Sequence, residues 1–135
     1  MTLNIELLEG SFSIIKEHAT DFIETFYINL FTDYPEVKPL FANAHMEEQG
    51  KKLFSSLVLT IDSLHKPEFL AETLRSLGTR HIKYGVLPRH YPMVGNSLLK
   101  SLEFSLGQAW TNDAKQAWME AYTTVTQLML EGVDS

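Results

Sequence analysis

The 135-residue chain contains no cysteine. This absence excludes disulfides, cysteine-ligated zinc, iron–sulfur clusters, thiolate nucleophiles and covalent haem attachment through a C-x-x-C-H motif. No apolar run approaches the roughly 20 residues that a membrane span requires. The first residues, MTLNIELLEG, have neither the basic start nor the small-residue cleavage site of a signal peptide. We therefore expect a cytoplasmic protein that does not bind membranes.

Positive charge is also scarce, because 11 lysines and arginines face 17 acidic residues and give a formal net charge of -6. A negative net charge disfavours nonspecific binding to nucleic acid or to anionic membranes. The length is typical of one domain with a real core. We expect residues 1–135 to form a single domain, as a monomer or a weak dimer.

Apolar residues recur at helical spacing along almost the whole chain, and no stretch alternates with period two. This pattern predicts an all-α fold. Thr20 is predicted to cap the second helix and Pro35 to end it. Gly85 is expected to stop the helix that begins near Leu70, and the next helix should open at Pro92. Thr111 is predicted to cap the last helix.

Two histidines lie in similar surroundings in RHIKYGVLPRHYPMVG, residues 80–95. His81 continues the apolar register of the preceding leucines, so its imidazole should face the interior. A buried, unprotonated imidazole can ligate a metal, although a core histidine bonded to a carbonyl or a tyrosine fits the same local pattern. His90 lies between Pro88 and Pro92 and is expected to face solvent or to flank a helix.

A metal site built from protein groups alone is not indicated. Neither H-E-x-x-H nor paired E-x-x-H motifs occur, and Asp62 and His65 have the second spacing only once. With one inward histidine and many inward aromatic residues, the chain favours a cofactor that brings its own metal ligands. Haem is such a cofactor, because four porphyrin nitrogens hold the iron and the protein adds an axial imidazole.

Several short motifs then follow one another in a characteristic order and spacing. They are FYINLF with Tyr27, PEVKPLF with Pro35 and Phe41, then Gln49 and Leu53, then HIKYGV with His81, 32 residues after Gln49, and finally HYPMVGNSLL with Tyr91. Over nearly its full length the chain resembles bacterial single-domain globins and the globin domain of flavohaemoglobins. The resemblance implies a globin fold of about seven to eight helices around a pocket for non-covalent haem b.

The resemblance also implies roles for single residues. His81 would be the iron ligand, and Tyr27 and Gln49 would donate hydrogen bonds to O2, which gathers negative charge when it binds ferrous haem. The other residues expected to contact or surround the haem are Leu53, Phe41, Leu77, Tyr84 and Tyr91. Lys52, Arg80 and Lys83 are candidates for the haem propionates, and His45 is an alternative ligand, with Tyr27 or Gln49, when no gas is bound.

One position departs from the flavohaemoglobin pattern. The glutamate that joins the proximal histidine and tyrosine in that family aligns with Val133, whereas Glu131 lies two residues earlier. We expect reversible, tight binding of O2, and also of CO and NO. Nitric oxide dioxygenation is the alternative, and it would need an external reductase as electron donor. A haem-based gas sensor and a haem-free interaction module are less favoured readings.

Overall fold

The computed structural model describes residues 3–133, and this part of the chain is built from helices with no strand. The six α-helices are α1 (Ile5–Lys16), α2 (Ala19–Asp33), α3 (Met46–Asp62), α4 (Pro67–Lys83), α5 (His90–Leu106) and α6 (Asn112–Val133). Two 3-10 helices, Pro35–Phe41 and Gly107–Ala109, complete the set. The predicted all-α fold is confirmed. Between residues 3 and 133, no helix combines the length and apolarity needed to cross a membrane.

The core forms where the apolar faces of α1, α2, α3 and α6 meet. Phe12 of α1 stacks on Phe54 of α3, with ring centroids 5.4 Å apart, and lies 6.3 Å from the ring of Trp118 on α6. The Trp118 indole N–H donates to the Ser11 hydroxyl over 2.9 Å, so its polar atom is satisfied inside the core. Aromatic contacts between residues distant in the chain therefore hold the helices in place.

Two glycines allow α4 and α6 to cross at backbone contact. A Cβ atom added at Gly78 would overlap the Met129 carbonyl, and one added at Gly132 would overlap the Arg75 carbonyl. The Thr79 hydroxyl donates to the Gly132 carbonyl over 2.9 Å at the same crossing. This crossing sets the position of the C-terminal half of α4, the segment that carries His81.

Several predicted helix boundaries agree with the structure. Pro35 follows the end of α2, and the Thr111 hydroxyl accepts a bond from the Ala114 N–H over 3.1 Å as the predicted cap. The stop at Gly85 is confirmed, since α4 ends at Lys83 and Gly85 has φ of 86°. Glycine adopts this left-handed conformation without the steric cost of a Cβ atom.

Two predicted helix starts are wrong. Helix α2 begins at Ala19, because the His18 carbonyl already accepts the Phe22 N–H over 3.0 Å, so Thr20 lies inside the first turn and does not cap it. Helix α5 begins at His90, which makes Pro92 its third residue. Proline is tolerated there because the first N–H groups of a helix have no partner within the helix.

The expectation that His90 faces solvent is also wrong. His90 is only 5% exposed, and its Nδ1 accepts the Leu87 N–H over 2.9 Å. The loop after α4 folds back so that this imidazole closes the turn before α5. Its helix-flanking position is as predicted, but the side chain points inward.

Candidate functional site

His81 lies in the last turn of α4 and is half-buried. Its Nδ1 is 2.8 Å from the Leu77 carbonyl oxygen. A carbonyl only accepts, so the ring donates from Nδ1 and keeps a lone pair on Nε2. Burial lowers the pKa of His81, an effect that the bond to Leu77 partly offsets and the charge of Arg80 reinforces. The neutral tautomer with a free Nε2 is the form that ligates a metal.

Tyr27 and Gln49 are brought together by the contact of α2 with α3. Tyr27 is 8% exposed, and burial raises the pKa of its phenol to about 12, while a hydrogen bond with the Gln49 side chain acts in the lowering direction. Gly50 makes the approach possible, because a Cβ atom there would lie 2.6 Å from Cγ2 of Ile23. The phenol is therefore a protonated donor near neutral pH.

An aromatic cluster surrounds Tyr27. The ring centroids of Phe26, Phe31 and Phe41 lie 5.0, 5.8 and 5.7 Å from that of Tyr27, and Phe31 and Phe41 are 5.4 Å apart. Phe41 is the last residue of the 3-10 helix that follows α2, and this position places it in the cluster. Sequence reasoning missed Phe31, although its position four residues after Tyr27 on one helix face was an available signal.

Leucines on α3 and α4 are only partly covered by the rest of the protein. These helices follow each other in the chain but contact each other only weakly, and Leu53, Leu57 and Leu77 on them stay half-buried. Cδ2 of Leu40 comes within 3.3 Å of the position that a Cβ atom would take at Gly85, so the loop after α4 meets the segment before α3. Half-buried leucines on two weakly packed helices fit a flat apolar group between them.

The two tyrosines expected near His81 differ in their surroundings. Tyr84 is 62% exposed, and its ring packs edge to face against His81 with centroids 5.7 Å apart. Tyr91 is buried, and burial raises its pKa, but its hydroxyl finds no hydrogen-bond partner among residues 3–133. Its carbonyl accepts the Tyr122 hydroxyl over 2.6 Å. The structure therefore shows no bond from Tyr91 to His81.

Glu131 points away from this region. Its carboxylate accepts from Arg75, with Nη2 2.8 Å and Nε 2.9 Å from Oε1, on the exposed side of the crossing between α4 and α6. The three cations considered for propionate binding, Lys52, Arg80 and Lys83, are exposed as well. A proximal triad of histidine, tyrosine and glutamate is thus not assembled in this structure.

The residues present fit a haem group. The donor set has one neutral imidazole with a free Nε2, which is the single protein ligand that haem needs. Tyr27 lies in an aromatic cluster, and Leu53, Leu57 and Leu77 of α3 and α4 are half-buried. These side chains suit a cofactor that is held by one axial ligand and by apolar contacts.

Comparison with known proteins gives a consistent result. The globin family model matches residues 24–129. A flavohemoprotein from Rhizobium meliloti is 31% identical over 132 residues, which cover 96% of this chain and 32% of that protein. An uncharacterized globin-like protein from Aquifex aeolicus is 31% identical over 126 residues, which cover 93% of this chain and 88% of that one.

Among solved structures, an engineered carbene transferase from Rhodothermus marinus superposes with a TM-score of 0.85 at 30% identity, covering 98% of this chain and 95% of that one. The chain spans about a third of the length of the Rhizobium flavohemoprotein. Globins bind haem. The family match, the helical architecture and the order of the motifs agree, and the chain belongs to the globin family.

Proposed function

We propose that this globin binds O2 reversibly and tightly, and also CO and NO, with His81 as the axial ligand of haem b. The observation that carries the proposal is the buried phenol of Tyr27 within an aromatic cluster, with the Gln49 side chain of α3 close enough to act on its pKa. A paired phenol and amide can offer donors to a ligand that gathers negative charge. The same pair would have no such role in a haem-free interaction module.

The remaining residues hold and shield the cofactor in this proposal. Haem, when bound, supplies the coordination of the gas. His81 would bind the haem iron through Nε2, Phe41 and Leu77 would pack on the porphyrin, and Leu53 would help to exclude water. Lys52, Arg80 and Lys83 have their charged ends in solvent, where they could reach propionates at the haem edge. The chain has no cysteine, so the attachment would be non-covalent.

Tyr27 would favour O2 over CO through charge. Burial raises the pKa of Tyr27 to about 12, so the phenol keeps its proton across the physiological range. A donor in a site of low polarity interacts more strongly with a partly negative ligand than the same donor in water. CO gathers little negative charge and therefore gains less from this donor.

The test replaces Tyr27 by phenylalanine. The ring and its packing stay, and one hydrogen bond to a partly charged acceptor is lost, worth roughly 1.5–3 kcal/mol. O2 dissociation, measured by stopped flow, should then be about 10- to 150-fold faster, with little change for CO. Gln49→Leu should show the same selectivity with a smaller effect.

Tyr34→Phe provides the matched control. It deletes the same kind of hydroxyl, which in this structure accepts from Asn96 over 3.0 Å on the exposed side of α5. Its O2 dissociation should equal that of the unaltered protein. Unchanged O2 dissociation in both Tyr27→Phe and Gln49→Leu would refute the proposed distal role.

Nitric oxide dioxygenation is a second candidate, favoured by the similarity to a flavohemoprotein. The same distal pair would serve it, but each turnover would need an electron from a reductase. The pairing of Glu131 with Arg75 argues against a strongly electron-donating proximal histidine, because no carboxylate reaches His81 within residues 3–133. Rapid NO consumption with a reductase and O2 supplied would favour this function over simple gas binding.

A further inference from the structure

Positive charge is concentrated in one part of this acidic chain. Residues 73–102 contain five basic residues and no acidic one, although the whole chain has 11 basic and 17 acidic residues. The five are Arg75, Arg80, Lys83, Arg89 and Lys100. This segment runs from the middle of α4, through His81, into α5. The remainder of the chain is correspondingly more acidic.

Three of these cations have no acidic protein partner in the part of the chain that the structure describes. Arg75 is paired with Glu131, and Lys100 with Asp33 over 3.0 Å. Among residues 3–133, no acidic side chain forms an ion pair with Arg80, Lys83 or Arg89, and all three are exposed. Positive potential therefore remains at the C-terminal end of α4 and in the loop that follows.

Exposed apolar side chains lie among these cations. Tyr84 is 62% exposed and Leu87 is 45% exposed. We call the surface formed by Arg80, Lys83, Tyr84, Leu87 and Arg89 the basic patch. Arg80, Lys83 and Tyr84 share one helix face by their spacing of three and four. An aromatic side chain among arginines is typical of protein interfaces, where tyrosine and arginine are enriched.

The basic patch is in direct contact with the candidate axial ligand. The Tyr84 ring packs against the His81 ring with centroids 5.7 Å apart and an angle of 62° between the rings. A protein docked on Tyr84 would lie one aromatic ring from His81. This location suits delivery of an electron to the iron better than delivery of a gas, since Tyr27 and Gln49 lie on other helices, α2 and α3.

We propose that the basic patch docks an acidic protein that carries one electron on a flavin or an iron–sulfur cluster. This inference rests on the proposed function, because it assumes haem at His81. The reduced carrier gives one electron to ferric haem, which becomes ferrous while the carrier is oxidised. The step moves one electron and needs no other reactant. Complementary charge would speed the encounter and orient the carrier.

Charge also favours an acidic protein over an anionic membrane or a nucleic acid as the partner of the basic patch. Lipid recognition by charge is typical of clusters of roughly four to eight basic residues, and the basic patch has three. The net charge of -6 would repel an anionic bilayer or a nucleic acid from the rest of the molecule. A small acidic protein can contact the basic patch alone and avoid that repulsion.

The test uses the full, haem-loaded chain and an oxidised plant-type [2Fe–2S] ferredoxin as the acidic probe. Binding is measured by calorimetry, which requires no electron transfer. The basic-patch variant Arg89→Glu, which alters no residue considered for haem binding, should raise the Kd at least 10-fold at low salt. The matched control Lys115→Glu makes the same charge change at an exposed position in α6 and should change the Kd less than threefold.

Further measurements separate docking from haem binding. The basic-patch variant should keep the haem content and the O2 dissociation rate of the unaltered protein, while reduction of its ferric haem by the reduced ferredoxin slows at least 10-fold. Arg89→Gln, which adds no negative charge, should give an intermediate Kd. Failure of the proposed function would appear instead in the Tyr27→Phe kinetics or in the absence of haem.

The inference would be overturned by any of four results. One is an equal rise of the Kd in the basic-patch variant and its control. Another is binding to the ferredoxin that resists about 0.5 M salt, where the Debye length is only a few ångströms. The others are a basic-patch variant that binds normally, and a basic-patch variant whose only change is loss of self-association or of binding to anionic vesicles.

Discussion

The chemistry of the two histidines in residues 80–95 is decided by which ring nitrogen finds a partner. In His81, Nδ1 donates to the Leu77 carbonyl, so Nε2 keeps its lone pair for a ligand. In His90, Nδ1 accepts the Leu87 N–H, so Nε2 carries the proton whenever that ring is neutral. Only His81 presents an unprotonated nitrogen away from its local hydrogen bond. The same residue type thus has a ligand geometry in one place and a turn-closing geometry in the other.

Replacement of each histidine by alanine should separate these roles. His81→Ala removes the proposed axial ligand, so tight haem retention and the Soret spectrum should be lost. His90→Ala should leave the spectrum unchanged but lower the free energy of unfolding by roughly 1–3 kcal/mol, because the Leu87 N–H loses its partner. Haem content by absorbance and stability by urea titration check both outcomes. A normal spectrum in His81→Ala would exclude His81 as the ligand.

At the scale of helices, the crossing of α4 and α6 controls where His81 sits. Backbone meets backbone at Gly78 and Gly132, and the Arg75–Glu131 ion pair spans the exposed side. Exposed ion pairs contribute little, typically below about 1 kcal/mol. The close approach permitted by the two glycines therefore matters more for this crossing than the charge pair does.

Gly78→Ala should force the two helices apart. The added methyl group overlaps the Met129 backbone, which cannot move aside as a flexible side chain could. We expect a loss of at least about 2 kcal/mol in unfolding free energy, in the range of overpacked cores or above it, and weaker haem retention because α4 carries His81.

Gly10→Ala is the control for this substitution. Gly10 lies inside α1, and an added Cβ atom there meets nothing within 4 Å. Alanine should therefore stabilise the protein by roughly 0.5–1 kcal/mol through helix propensity. Urea titrations of both variants provide the measurement. A Gly78→Ala protein as stable as the unaltered chain would show that α4 and α6 can move apart at little cost in free energy.

At the scale of the whole molecule, the haem-free protein should lose stability in mild acid. The pKa of His81 is lowered in the folded state, chiefly by burial. As pH falls below about 6.5, the unfolded chain takes up a proton at this residue that the folded chain binds only at lower pH. The unfolded state then binds more protons, so this contribution to stability is lost from about pH 6.5 downward.

The His81→Leu variant provides the comparison. Titrations common to both proteins cancel, so the haem-free variant should lose less stability than the unaltered haem-free chain between about pH 7 and the lowered pKa of His81. Urea unfolding at several pH values checks this. Identical pH profiles would mean that His81 titrates alike in the folded and unfolded chains.

The sequence by itself determined the helical class of the fold and three of the helix boundaries. Helical periodicity is a local property, since residues three and four apart share a face wherever the chain goes. Pro35, Gly85 and Thr111 act through their own backbone or first turn, so their effects were readable from the chain. The absence of cysteine likewise excluded covalent haem attachment without any structure. The extent of a single domain over residues 1–135 and the role of each site residue stay predictions.

Only the tertiary structure decided which side chains meet. The contact of Gly50 with Ile23 brings Gln49 to Tyr27, and the crossing at Gly78 places Glu131 on Arg75 instead of near His81. The burial of His90 depends on how the loop after α4 folds back. These pairings join residues on different helices or on both sides of a turn. Local periodicity has no information about them, because the packing of the whole chain fixes the distances involved.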